Sequence, residues 1–94
     1  MHFGRPLREP IARGEITCSV RVWHQPRVRV GGRYAMEEGA ITVTSLREIA
    51  PDDVTDTLAR RSGFADAATL MATARHGFGD RIFLVEFVYE GPAD

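Results

Sequence analysis

Four residues in alternation, Thr17, Ser19, Arg21 and Trp23, carry the side chains best suited to chemistry in this chain of 94 residues. On a strand, positions two apart share a face, so the four converge on one surface. There Arg21 offers a charged fork for a phosphate or a base carbonyl. Thr17 and Ser19 offer hydroxyls, and Trp23 either a plane on which a base stacks or, equally, a ring folded back onto the barrel. Without a ligand, the same face is the solvent side of an edge strand. Arg13, Arg27, Arg29 and Arg33 form a candidate rim, each phosphate contact steepening the salt dependence of binding. Arg33 is favoured as a binding residue, while Arg27 and Arg29 taken singly read as a solvated charged face.

Possible acid–base groups are few. Glu86 lies in an apolar run and needs a partner if it is buried. Arg21 is the natural one, in a pair that holds two strands together. If Glu86 faces the cleft instead, it becomes the general base for an activated Ser19, with His24 as a second acid–base candidate. His2, His24 and His76 share no ligand spacing and Cys18 stands alone, so no metal and no cofactor is expected. His76 follows a helix end and reads as a cap favoured by the dipole. Arg60-Arg61-Ser62-Gly63 reads as a helix C-terminus by the same argument. Gly31-Gly32 lacks the spacing and the following helix of a phosphate loop and reads as a turn or bulge.

These side chains need a frame. Pro6 to Arg13 reads as a short helix stopped by Gly14, with Pro10 against it. Thr17–Trp23 alternates as a half-buried strand with Cys18, Val20 and Val22 inward. Arg27–Val30 alternates again. Arg33–Glu37 and Ala40–Ile49 read as strands joined by a turn at Glu38-Gly39, with Ile41 and Val43 on one face. Asp52 or Asp53 is a natural N-cap for a helix with Asp56 in its first turn, an inward side of Val54, Leu58 and Arg61, and a stop at Gly63. A second helix is expected over Asp66–Arg75, with Leu70, Met71 and Ala74 inward and Gly77 and Gly79 breaking it. Arg81–Tyr89 is apolar on both faces, Phe83, Val85, Phe87 and Tyr89 on one and Ile82, Leu84 and Val88 with Glu86 on the other, as befits a central strand. The order α-β-β-β-α-α-β predicts an α+β fold, a small mixed barrel with flanking helices.

Composition is that of one globular domain spanning residues 1–94, with 44% hydrophobic and 27% charged residues,. No apolar run approaches the ~20 residues that cross a bilayer, and Met-His-Phe-Gly-Arg-Pro has no apolar core of a signal peptide. The expectation is a soluble cytoplasmic domain without membrane partners. The net charge of −1 hides a segregation: residues 1–34 carry seven Arg against two Glu, and residues 35–94 five Arg against eleven acids. Such asymmetry hints at a polyanion-facing surface. All twelve basic residues are Arg, so the chain has cations that orient anions but no side-chain amine to take a proton.

The stretch Ile11-Ala12-Arg13-Gly14-Glu15-Ile16-Thr17-Cys18-Ser19-Val20-Arg21 resembles the opening of ASCH domains, a PUA-like family in which a helix leads into Gly-x-Lys-Thr-x-Thr-x-Arg. Gly31-Gly32-Arg33-Tyr34 sits where the family has Gly-Asp before its second strand. Ile41-Thr42-Val43-Thr44-Ser45-Leu46 resembles its third strand, and Phe83-Leu84-Val85-Glu86-Phe87 its last. The resemblance runs from Leu7 to Tyr89. It implies a PUA-like β-barrel with a cleft above the first strand, and RNA, a nucleotide or a nucleoside as ligand. Some members resemble RNA-binding modules, some cleave RNA, and small bacterial members hydrolyse N4-acylated cytidines with a Lys, a Thr and a Glu. Here Gly14, Thr17 and Arg21 match the motif and Ser19 takes the catalytic Thr position. Ile16 stands in place of the Lys, and the Glu falls near Ser62. The resemblance therefore implies a binding module first. The alternative is a hydrolase of modified nucleosides or of RNA, with Ser19 and either Glu86 or His24 replacing the lost groups.

Overall fold

A computed structural model of the chain describes residues 1–74 and 79–92. Its elements are α1 (Arg5–Ala12), β1 (Cys18–Trp23), β2 (Arg33–Met36), β3 (Gly39–Ile49), a 3-10 turn (Pro51–Asp53), α2 (Asp56–Arg61), α3 (Ala67–Ala74) and β4 (Arg81–Glu90). The expected end of the second helix at Arg75, the His76 cap and the Gly77 break lie outside the described residues. The fold is α+β, with one antiparallel four-stranded sheet in the order β1-β4-β3-β2. β1 and β2 are its two edges and do not pair with each other, so the sheet forms an open half-barrel.

α1 carries Pro6 in its first turn, where its missing N–H is needed by nothing,. It ends in a Schellman arrangement: Gly14 at φ +77° donates to the Ile11 carbonyl (3.0 Å) and Glu15 to the Pro10 carbonyl (2.9 Å),. This turn aims the chain into β1. β4 runs through the middle of the sheet because it is apolar on both faces, and two cores form around it. One contains Phe83, Val85 and Phe87 with Phe3, Ile11, Ile41 and Val43. The other contains Ile82 and Leu84 with Cys18, Val20, Leu58 and Leu70, beneath α2 and α3. A register shift between Val43 and Ser45 inserts Thr44 as a bulge. Ile41, Val43 and Leu46 thereby all pack on the first core,.

Local chemistry departs from expectation at several points. Asp53 caps the 3-10 turn by accepting from the Ala50 N–H at 2.8 Å, and Thr55 is the N-cap of α2, its Oγ1 accepting from Leu58 N–H at 3.1 Å. Arg61 is exposed at the end of α2, while Leu58 and Ala59 are the buried pair. The β2–β3 turn is Glu37-Glu38. Gly39 already belongs to β3, because a Cβ on it would meet the Glu90 carbonyl and the Tyr89 ring. Arg27–Val30 is not a strand; Val28 is buried and Val30 exposed. Among the described residues, no helix is long and apolar enough to cross a membrane.

Candidate functional site

β1 is an edge, and one bond sets the direction of its main chain. The Phe87 N–H donates to the Thr17 carbonyl at 3.0 Å, so the main-chain groups of residues 17, 19, 21 and 23 face β4. Those of Cys18, Val20 and Val22 point away from the sheet, along its open side. Side chains alternate the other way. Ser19, Arg21 and Trp23 share the face of Phe83, opposite Arg21 in the register, while Cys18 and Val20 pack beneath α2 and α3.

The segment before α1 lies across the first face. Phe3 is 3% exposed and its ring stands 5.4 Å from that of Phe87. Arg21 packs on this segment, its guanidinium carbon 4.9 Å from the Phe3 ring centroid,. Its Nε donates to Ser19 Oγ at 2.8 Å and its Nη2 to the His2 carbonyl at 2.6 Å. Burial pulls its pKa below the ordinary guanidinium value, yet a guanidinium keeps its charge in proteins. No carboxylate among the described residues lies within ion-pair distance of it. Two of its five N–H groups are engaged and the rest are available.

Arg21 opens onto a cleft of about 430 Å³ that runs along the edge of β1. One wall is polar and basic, with His2, Ser19, Arg21 and Arg27; the other is apolar, with Phe64, Leu70 and Ala74. Val20 and Val22 line it between them; their side chains pack on the second core and their outward main-chain groups lie on the open side of the strand, while Gly79 closes one end. No Asp or Glu is among the described residues that line it. Such a site suits an anion attached to something flat and partly apolar.

The structure gathers some of the predicted residues here and scatters others. Ser19 and Arg21 stand in the cleft wall. Trp23 touches it, but its indole is folded back, 9% exposed and 5.9 Å from the Phe83 ring centroid. It packs the core and offers no free stacking plane. Thr17 is exposed just before β1 and outside the cleft. Arg33 is on β2, the opposite edge of the sheet, and its Nη1 donates to Glu90 at 2.7 Å. Arg13 is held by Glu9 and Glu15.

Neither acid–base candidate reaches Ser19. Glu86 lies opposite Cys18 in the register, so its side chain is on the other face from Arg21, and the expected Arg21–Glu86 pair does not form. His24 is exposed, its Nδ1 3.2 Å from Asp80 Oδ1. The Ser19 hydroxyl accepts from Arg21 and has no His, Asp or Glu partner among the described residues. Ile16, at the position of the family's Lys, is buried, and Ser62 is buried with its Oγ 3.4 Å from Cys18 Sγ. Among the described residues, no group of three or more His, Cys, Asp or Glu is placed to hold a metal.

Sequence reasoning placed Arg27 in a candidate rim but read it singly as a solvated charge, because it follows a proline in a loop, and it missed two further contributors. His2 precedes the first element, and no periodicity applies to it. The apolar wall comes from α3, whose weak amphipathic pattern gives no sign that Leu70 and Ala74 border an opening. A scan of protein-family models finds no match to the chain, and searches of curated proteins and of solved structures find none either.

Proposed function

We propose that the protein is a binding module for an anionic ligand of the nucleotide class, a free nucleotide or an RNA end, held in the cleft along β1. The observation that carries this reading is Arg21, a half-buried cation with no carboxylate within ion-pair distance among the described residues, in the wall of a cleft whose described lining holds no Asp or Glu. Burying a charge without a counter-ion is costly, and a ligand phosphate supplies the missing partner. Arg27 adds a second positive charge to the same wall. The resemblance to ASCH domains supports the reading, since it expects the ligand above the first strand and matches Arg21. The single buried thiol suits a cytoplasmic setting,. With no His, Asp or Glu bonded to Ser19 among the described residues, binding is favoured over hydrolysis,.

The test is a calorimetric titration of nucleoside 5′-monophosphates and a short single-stranded RNA against wild type and Arg21→Gln at two salt concentrations. Wild-type binding should weaken with salt by a logarithmic slope of about −0.7 for each RNA phosphate held. Arg21→Gln should bind about 10–100-fold more weakly, the loss of a charge-assisted hydrogen bond. Equal affinity of the two proteins, or no binding to either ligand class, would overturn the proposal.

A further inference from the structure

The open edge of β1 has a second use in the cleft. With the Phe87–Thr17 bond setting the ladder, the Val20 carbonyl and the Val22 N–H point out of the sheet side by side, an acceptor next to a donor, with no hydrogen-bond partner among the described residues. The walls rise on either side of the sheet plane, Arg21 and His2 on one and Leu70, Ala74 and Phe64 on the other. A flat group bonded to that edge lies in the plane of the sheet, sandwiched between a guanidinium and an apolar wall. The exposed edge of a nucleobase has this complementary form, neighbouring donor and acceptor on a flat ring.

The alternative occupant of a free strand edge is another strand. Gly79 argues against it. Its backbone is so close that a Cβ built on it would stand 2.5 Å from the Val22 carbonyl oxygen and the Trp23 nitrogen. The edge is therefore closed just past Val22, and a paired strand would have to stop there. A ring needs only the Val20–Val22 stretch.

We propose that the main chain of β1, through the Val20 carbonyl and the Val22 N–H, reads the hydrogen-bonding edge of a nucleobase while Arg21 holds the attached phosphate. This rests on the nucleotide reading above and adds the part of the ligand that is recognised. Selectivity then comes from backbone groups, which leave no signature in residue type.

The experiment compares AMP, CMP, GMP and UMP with ribose 5-phosphate, which has the anion and no base. Calorimetry gives affinities, and amide NMR follows Val20 and Val22. At least one nucleotide should bind tenfold or more tightly than ribose 5-phosphate, with the Val22 amide shifted and protected from exchange only by the nucleotide. Val22→Pro removes that N–H at an outward position where an edge strand tolerates proline. It should reduce nucleotide binding about tenfold, to the level of ribose 5-phosphate, and leave ribose 5-phosphate unchanged. If this variant does not fold, the wild-type amide data decide. Ribose 5-phosphate binding as tightly as every nucleotide would overturn base reading and leave the anion site standing. Binding of neither would overturn both. Protection of Val22 by an acidic peptide, with no response to nucleotides, would replace the base with a strand.

Discussion

Arg21→Met separates a functional arginine from a structural one. Met keeps an unbranched stem against the Phe3 ring and removes the charge. Two hydrogen bonds disappear, to Ser19 Oγ and the His2 carbonyl, and bonds to a charged group are worth roughly 1.5–3 kcal/mol each. That argues for a loss of up to about 6 kcal/mol. In the other direction, replacing buried ions by apolar groups of similar volume is often neutral or stabilising by about 1–4 kcal/mol. The released partners decide the balance. His2 is exposed and Ser19 only half-buried, so both turn to water and neither becomes a buried orphan. The net change should be under about 2 kcal/mol, a fall in melting temperature below about 15 °C for a chain of this size. Ligand affinity should fall with the lost charge, as for Arg21→Gln. Thermal unfolding by circular dichroism and titration with the best-bound nucleotide measure the two sides. Destabilisation beyond about 4 kcal/mol with unchanged affinity would refute the reasoning and make Arg21 a strut.

Other perturbations probe the frame around the cleft. Gly63 has φ +94°, and a Cβ there would come within 2.7 Å of Leu7 and Ile16 side-chain carbons; Gly63→Ala should cost about 2–4 kcal/mol by chemical denaturation, from left-handed strain and overpacking together. Glu37 is the one non-glycine residue at positive φ, +54°, among those described, and Glu37→Gly should stabilise by about 1 kcal/mol, the exposed Arg8 contact being a small loss. Arg81 holds the Glu48 carboxyl below its ordinary pKa through a 2.8 Å bond. The depressed value makes this contribution present at neutral pH and lost as pH falls through the Glu48 titration; Arg81→Gln should move that titration upward in carboxyl NMR, and an unmoved titration would show the bond absent in solution.

Much of the frame was legible because apolar period and stop signals agree locally. β4 is apolar on both faces and is the central strand. The helix stops at Gly14 and Gly63 fall at positive φ. What was not legible depends on long-range pairing. The sequence places Glu86 and Arg21 each on a face of its own strand, but which faces coincide is set by the register Cys18↔Glu86. One residue of slip would reverse it. Trp23 was ambiguous for the same reason: an alternating strand shows two faces, and nothing in residues 1–4 announces that they cover one of them. Ser19 and Arg21 were found because their types carry chemistry on any strand. The outward groups of Val20 and Val22 were invisible because they are main chain.

The arginines make the closing argument for where function lies. Arg8, Arg13, Arg33 and Arg81 each meet a carboxylate near the surface. Such exposed pairs stabilise little. Arg21 has no carboxylate within ion-pair distance among the described residues and is half-buried against an aromatic ring, where an unbalanced charge costs more than it does in water. Glu86 lies on the neighbouring strand of the sheet, and a pairing of the two would have balanced the charge. The fold turns it to the other face. A locally unfavourable arrangement held in place by an otherwise consistent structure points to function. It also makes a quantitative demand: an inorganic anion should raise the melting temperature of wild type in proportion to occupancy and leave Arg21→Met unmoved. Equal stabilisation of both proteins by phosphate would place the anion elsewhere and remove the reason for assigning this cleft.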